Sequence, residues 1–228
     1  MGSASKPLAR PALYTARLIL LPLRARHAAE VHAAIEESRR SIGRWLTFAT
    51  MQTAEQTQAF IRRGMRSEHD IVWGIWLREA AGIRAGRERT TPMRATEPHG
   101  AYCGNVGLHR IVIEQATGTI GYWNRRSLEG KGIITEAVAA VLLWASGPLG
   151  IERIAVEVAT GNKASLRVIE KLGFTREGVL REAQRIPGRL GRLDWVISSI
   201  VRSDLPRVRP ALARICGTAR PWEIQRRA

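Results

Sequence analysis

Residues 128–145 read LEGKGIITEAVAAVLLWA, two glycines around a lysine and then an apolar run. The spacing of Ile134, Val138, Val141, Leu142 and Ala145 predicts a helix with one buried stripe. GTIGYWN (118–124), just upstream, reads as a strand. A strand, a glycine-rich turn and a helix start together make an anion site. First-turn N–H groups have no intrahelical acceptor, and the helix start carries partial positive charge. Glycines let the preceding backbone curl so that further N–H groups converge, and Lys131 adds a full charge. Such a cradle suits a pyrophosphate. The segment is neither a Walker A loop nor G-x-G-x-x-G, and an ordinary strand-to-helix turn would look the same. The reading therefore depends on a second motif.

That motif lies downstream. IERIAVEVA (151–159) alternates Ile154, Val156 and Val158 on one face, as a strand does. NKASLRVIEKLGF (162–174) reads as a short helix, with Asn162 as N-cap and Gly173 at its stop. On the N-terminal side, RLILLPLR (17–24) is a short strand in which Pro22 marks an edge or an end. HAAEVHAAIEESRRSIGRWL (27–46) is helical, with Val31, Ile35 and Ile42 inward. Thr53 and Gln56 form a capping box before another helix. IVWGIWLRE (71–79), AYCGNVGLHRIVI (101–113), VLREAQRI (179–186) and DWVISSIVRSD (194–204) read as strands. Residues 80–100 have no periodicity and form a loop insertion longer than a hairpin needs. This order predicts an α+β fold, a mixed and mostly antiparallel sheet flanked by helices. Residues 1–12 are expected to be a flexible N-terminus, 13–204 the domain, and 205–228 a basic tail, irregular or helical, with three prolines.

The 228 residues suffice for one domain with a sizeable core. No apolar run reaches the length of a membrane span, and the N-terminus has no apolar signal region, so a cytoplasmic location is expected. Cys103 and Cys216 fit no metal or redox spacing, so neither a disulfide nor a metal site is expected. The net charge of +16 favours polyanionic partners: RNA, a ribosome or a phosphate-rich cofactor. Six arginines against one glutamate after residue 204 supply +5 of it. An arginine-rich composition serves solubility equally well, so charge alone decides nothing.

GYWNRRSLEGKGIITEA, VATGNKASLRVIEKLGFTREGVLREA and TARLILLPLRARHAAEVHAAIEESRRSIGRWL, taken together, resemble the GNAT superfamily of acetyl-CoA-dependent N-acetyltransferases. The likeness is greatest to the RimJ/RimL branch, which acetylates protein N-terminal amines, and it runs from Leu13 to about Asp204. The resemblance implies the GNAT fold, acetyl-CoA as co-substrate and no metal. It implies a pyrophosphate loop of Glu129, Gly130, Lys131, Gly132, Ile133, Ile134 and Thr135, binding through the backbone N–H groups of Gly130 to Ile134. Tyr122 and Trp123 would end a strand that splays from its neighbour and hydrogen-bonds the pantetheine arm, and Asn162 would contact the same arm. Ser165 stands where relatives place a hydroxyl that protonates the departing thiolate; a first-turn serine bonded to local backbone is the other reading.

The chain departs from the family in places. Glu129 puts a negative charge beside phosphates, and Ile134 replaces a small residue. Gln184 stands where relatives often carry a glutamate proposed as general base, and Gln184 takes no proton. Glu182, two residues earlier, would share its face in a regular strand and becomes the candidate base. A positioned base supplies roughly 10²–10⁴ in rate. An α-amine of pKa about 7.7–8.0 is roughly a tenth neutral at pH 7, and a lysine amine only about 0.04%. A site poor in bases therefore points to an N-terminal amine. His109 and Trp45 are candidates to face the acceptor, against packing roles for both. Arg39, Arg40 and Arg44 could draw an acidic acceptor or ribosomal RNA, against a solvated helix face.

The expected activity is acetyl transfer to a primary amine, above all the N-terminal amine of a ribosomal-protein-like substrate. The alternatives are a small-molecule amine such as an aminoglycoside or polyamine, and a non-catalytic acyl-CoA- or RNA-binding module. No membrane association is expected, and the chain is expected as a monomer or homodimer.

Overall fold

The computed structural model describes residues 8–51, 53–78, 100–187 and 191–223. The expected loop insertion, except Gly100, lies outside them. The strands are β1 (Leu13–Tyr14), β2 (Leu18–Pro22), β3 (Ile71–Leu77), β4 (Tyr102–Val112), β5 (Thr117–Asn124), β6 (Arg153–Ala159), β7 (Thr175–Gln184) and β8 (Leu193–Val201). The helices are α1 (Ala28–Ile42), α2 (Thr47–Met51), α3 (Ala54–Arg66), α4 (Ile133–Ser146), α5 (Lys163–Lys171) and α6 (Leu205–Cys216). The strands form one sheet in the order β1-β2-β3-β4-β5-β6-β8-β7. Every pairing is antiparallel except β5 with β6. The architecture is the α+β one read from the element order.

Strand alternation assigns each face of the sheet a core. Val106, Leu108, Ile120, Ile154, Val156 and Val158 pack with α4 on one face. Ile19, Leu21, Trp76, Tyr102 and Trp123 pack with Val31, Ile35 and Ile42 of α1 and Ile61 of α3 on the other. The capping box forms as read: the Thr53 hydroxyl accepts from Gln56 N–H at 3.3 Å, and Gln56 Oε1 accepts from Thr53 N–H at 2.9 Å.

Helix α4 differs from the single-stripe expectation. All its residues from Ile133 to Ala145 are buried except Thr135. The physical reason is a second cover. Helix α6 packs on α4, and its Val208, Leu212 and Cys216 join the main core. The segment after residue 204 thus brings a core helix to the fold. Pro206 sits in its first turn, where no intrahelical N–H is missed. Pro210 lies inside the helix and forfeits one hydrogen bond, a loss offset by the apolar burial on either side.

Candidate active site

Strands β5 and β6 pair only over Thr117–Thr119 against Arg153–Ala155. Beyond that point they part. Ile120–Asn124 still pair with β4, and Val156–Ala159 with β8, so each strand turns one unpaired backbone edge to the gap. The gap opens into a cleft of about 1170 Å³ through the sheet. Its two sides differ. Ile134, Tyr122, Ser165 and Val168 line it on the α4/α5 side, and Trp45, His109, Glu157 and Gln184 on the opposite side.

At the α4 mouth, Gly130 (φ 76°) and Gly132 (φ 73°) both adopt the left-handed conformation, which glycine alone adopts without strain. They turn the chain into the helix so that Gly132 becomes its N-cap, and the first intrahelical bond runs from Glu136 N–H to Gly132 C=O at 3.1 Å. The N–H groups of Ile133, Ile134 and Thr135 are left for a ligand. The two departures in this loop are accommodated. Arg126 pairs with Glu129 at 2.9 Å and neutralises it, while the Ile134 side chain turns into the core. Lys131 is exposed outside the cleft lining, so its nearest contribution is its backbone: its C=O accepts from Arg17 Nη1 at 3.1 Å. Sequence reasoning missed Arg17. Its Nε donates to the buried Glu136 carboxylate at 2.6 Å, and Glu136 also accepts from the Thr15 hydroxyl at 2.6 Å. Arg17 thus links the loop, the first turn of α4 and the start of β2.

Asn162 caps α5 by accepting from Ser165 N–H at 3.2 Å, and both residues line the cleft. The Ser165 side chain hydrogen-bonds with the Tyr122 hydroxyl at the edge of the cleft. Tyr122 donates its hydroxyl to Ser165 C=O at 3.3 Å, and burial pushes its pKa well up, so it stays protonated. Trp123 turns to the other face, against Tyr102. Trp45 packs over Gly161 and beside Ala159 and Trp195, forming the far wall.

The structure does not bring Glu182 into this group. The register slips between Leu180 and Gln184, and Glu182 takes a left-handed φ of 52°. Alternation therefore fails across those two residues. Gln184 lines the cleft, while Glu182 is exposed outside it, its N–H donating to Asp194 Oδ1 at 2.7 Å. The carboxylates that do line the cleft are all paired: Glu37 with Arg125 at 2.6 Å, Glu157 with Arg110 at 2.6 Å and Glu129 with Arg126. Among the described residues no three His, Cys, Asp or Glu side chains are grouped to hold a metal, and no helix is long and apolar enough to cross a membrane. Both cysteines are free and buried, and burial pushes their thiols up, Cys103 to about 11 and Cys216 to about 12.

A splayed parallel pair, a left-handed glycine loop and free helix N–H groups fit a long phosphorylated thioester lying across the sheet. The chain belongs to the GNAT acetyltransferases: the model of the Acetyltransferase (GNAT) domain matches residues 17–175. It is an N-acetyltransferase that uses acetyl-CoA. The chain is 30% identical to the Putative ribosomal N-acetyltransferase YdaF of Bacillus subtilis strain 168, over 75% of this chain and 82% of that one. It is 31% identical to the Ribosomal-protein-serine acetyltransferase of Escherichia coli K12, over 36% of this chain and 45% of that one. The fold matches that of RimL, the ribosomal L7/L12 α-N-protein acetyltransferase, in complex with coenzyme A. That match has a TM-score of 0.70 at 17% identity, over 85% of this chain and 99% of that one.

Proposed function

We propose that this enzyme acetylates the N-terminal α-amine of a protein, with a ribosomal protein as the favoured acceptor. The observation that carries this reading is the charge on the acceptor side of the cleft. Every lining carboxylate is held in an ion pair, whereas Arg40 and Arg44, one turn apart along the lining, are in no ion pair among the described residues. Polycationic acceptors such as aminoglycosides need free carboxylates and meet arginines instead. An α-amine, partly neutral at pH 7, is also the amine least in need of a strong base. Two relatives' names, Putative ribosomal N-acetyltransferase and Ribosomal-protein-serine acetyltransferase, point the same way.

In this reading the pyrophosphate sits on the N–H groups of residues 130–134, and the pantetheine arm runs between the parted edges of β5 and β6, beside Tyr122 and Asn162. The acetyl group then lies where the strands separate, and the amine approaches from the Trp45 side. The Ser165 hydroxyl protonates the departing thiolate. CoA release from acetyl-CoA tests the proposal with peptides starting Ser or Ala, the same peptides N-blocked but carrying an internal lysine, and aminoglycosides. Turnover confined to free N-termini is expected. A tenfold or greater preference for internal lysine or for an aminoglycoside would overturn the reading.

A further inference from the structure

We infer that His109, held by Asp70, is the general base that takes the proton from the acceptor ammonium. His109 lies opposite Thr119 in the β4–β5 register, and Thr119 is the last residue of β5 paired with β6. The imidazole therefore stands where the sheet opens, on the acceptor face, and it lines the cleft. A floor of glycines fixes the ring there. A Cβ at Gly107 would collide with the imidazole, and one at Gly121, the cross-strand partner of Gly107, would touch it at 3.6 Å. Gly107 must stay glycine for the ring to lie flat on the sheet, whereas at Gly121 a methyl would only touch it.

The far side of the ring is tied. His109 Nδ1 lies 3.2 Å from Asp70 Oδ1, which also accepts from Arg110 N–H at 3.2 Å, while Oδ2 accepts from the Ser67 hydroxyl at 2.8 Å. Burial alone would raise the Asp70 pKa, but the Ser67 and Arg110 hydrogen bonds and the His109 charge outweigh it and hold the carboxyl below its ordinary value. An ionised carboxylate only accepts, so Nδ1 carries the hydrogen, and in the neutral imidazole the lone pair is then on Nε2. Among the described residues, the other candidates are engaged or unsuited: Glu37, Glu129 and Glu157 are each paired with an arginine, Gln184 takes no proton, and Glu182 lies outside the lining. The two residues are 39 apart in sequence, from the start of β3 and the end of β4, and only the sheet brings them together.

The proton balance closes. Nε2 removes one proton from the acceptor ammonium, and the freed amine forms the C–N bond to the thioester carbonyl. The C–S bond breaks, and the second nitrogen proton reaches the thiolate by way of the Ser165 hydroxyl. The imidazolium returns its proton to solvent at the cleft mouth. His109 is thus a catalytic residue and Asp70 a positioning residue.

Two measurements test the dyad. The first uses whichever amine of the peptide and aminoglycoside panel turns over, so failure of the α-amine reading does not decide it. His109→Gln is expected to lower kcat about 10²-fold or more while the KM for acetyl-CoA stays within about twofold. His109→Ala is expected to regain activity with added imidazole, which fits over Gly107 and Gly121. The second needs no acceptor: long-range ¹H–¹⁵N spectra of the unaltered protein, with the His109 signals found by their loss in His109→Gln. They are expected to show Nδ1–H with bare Nε2, a state that Asp70→Ala disperses. A kcat within about twofold of the parent in His109→Gln, or an Nε2–H ring in the parent, would overturn the inference.

Discussion

Ser165 and Asn162 stand three residues apart in one turn and do separable work. Asn162 accepts the Ser165 N–H, which makes it a cap, whereas the Ser165 side chain lines the cleft beside the Tyr122 hydroxyl. Asn162→Ala should therefore cost about 1 kcal/mol in urea unfolding. Ser165→Ala should leave stability unchanged and lower kcat about 10–10²-fold, seen in steady-state CoA release. Glu182→Gln should hold kcat within about twofold, because the side chain is exposed outside the cleft. A large loss there would mean that the bulge at Glu182 rearranges when the acceptor binds. The sequence showed the cap and the hydroxyl because both lie within one helical turn. Glu182 was misleading because the two-residue alternation that would place it beside Gln184 is broken by a bulge, and nothing in REAQ announces one. The Asp70–His109 contact was illegible for a different reason. It is a tertiary contact, and period and propensity report only on neighbours.

At the scale of the element, the loop before α4 works through backbone shape. Gly130 has open space where a Cβ would stand, so strain alone sets the cost of filling it. Gly130→Ala must hold a left-handed φ, a penalty of about 1–2 kcal/mol. The expected outcome is weaker acetyl-CoA binding by calorimetry, with kcat at saturation largely kept. The glycine pattern was readable in LEGKGIITEA, because a left-handed turn before a helix leaves that signature. The one-sided stripe expected for α4 was not what forms. An apolar helix covered on both sides and one covered on a single side share the positions Ile134, Val138 and Val141. Only the second cover separates them, and here that is α6, whose two prolines and many arginines read as a tail.

Over the whole molecule, distant segments converge on the N-terminal strands. His27, at the start of α1, lies edge-on to Trp76 at 5.0 Å. Burial, with the charges of Arg26 and Arg24, pushes its pKa down to about 4 from an ordinary 6.5. Between those values the unfolded chain binds the proton and the folded one does not. The His27 contribution is thus fully present above about pH 6.5 and is lost as pH falls toward 4. Urea titrations across that window should show stability falling with acid, and His27→Gln should flatten that part of the slope.

The C-terminal segment closes the same region. Cys216 C=O accepts Ala16 N–H at 2.8 Å, and Pro221 C=O accepts Tyr14 N–H at 2.6 Å. These bonds fix the strand end from which Thr15 and Arg17 reach the Glu136 carboxylate, and Arg17 in turn holds the loop at Lys131. Helix α6 thereby acts on the cofactor site, though none of its residues lines the cleft. Leu212→Ala removes a fully buried side chain between α6 and α4 and should cost about 2–5 kcal/mol. Stopping the chain at Asp204 strips α4 of its outer cover and removes the Cys216 and Pro221 carbonyls that accept the Ala16 and Tyr14 N–H groups. Calorimetry should then show a lower and broader thermal transition, and acetyl-CoA should bind more weakly although every residue of the loop remains. Unchanged affinity in the shortened chain would mean that the loop holds its shape through Gly130 and Gly132 alone, and that the Arg17 link adds rigidity without adding binding.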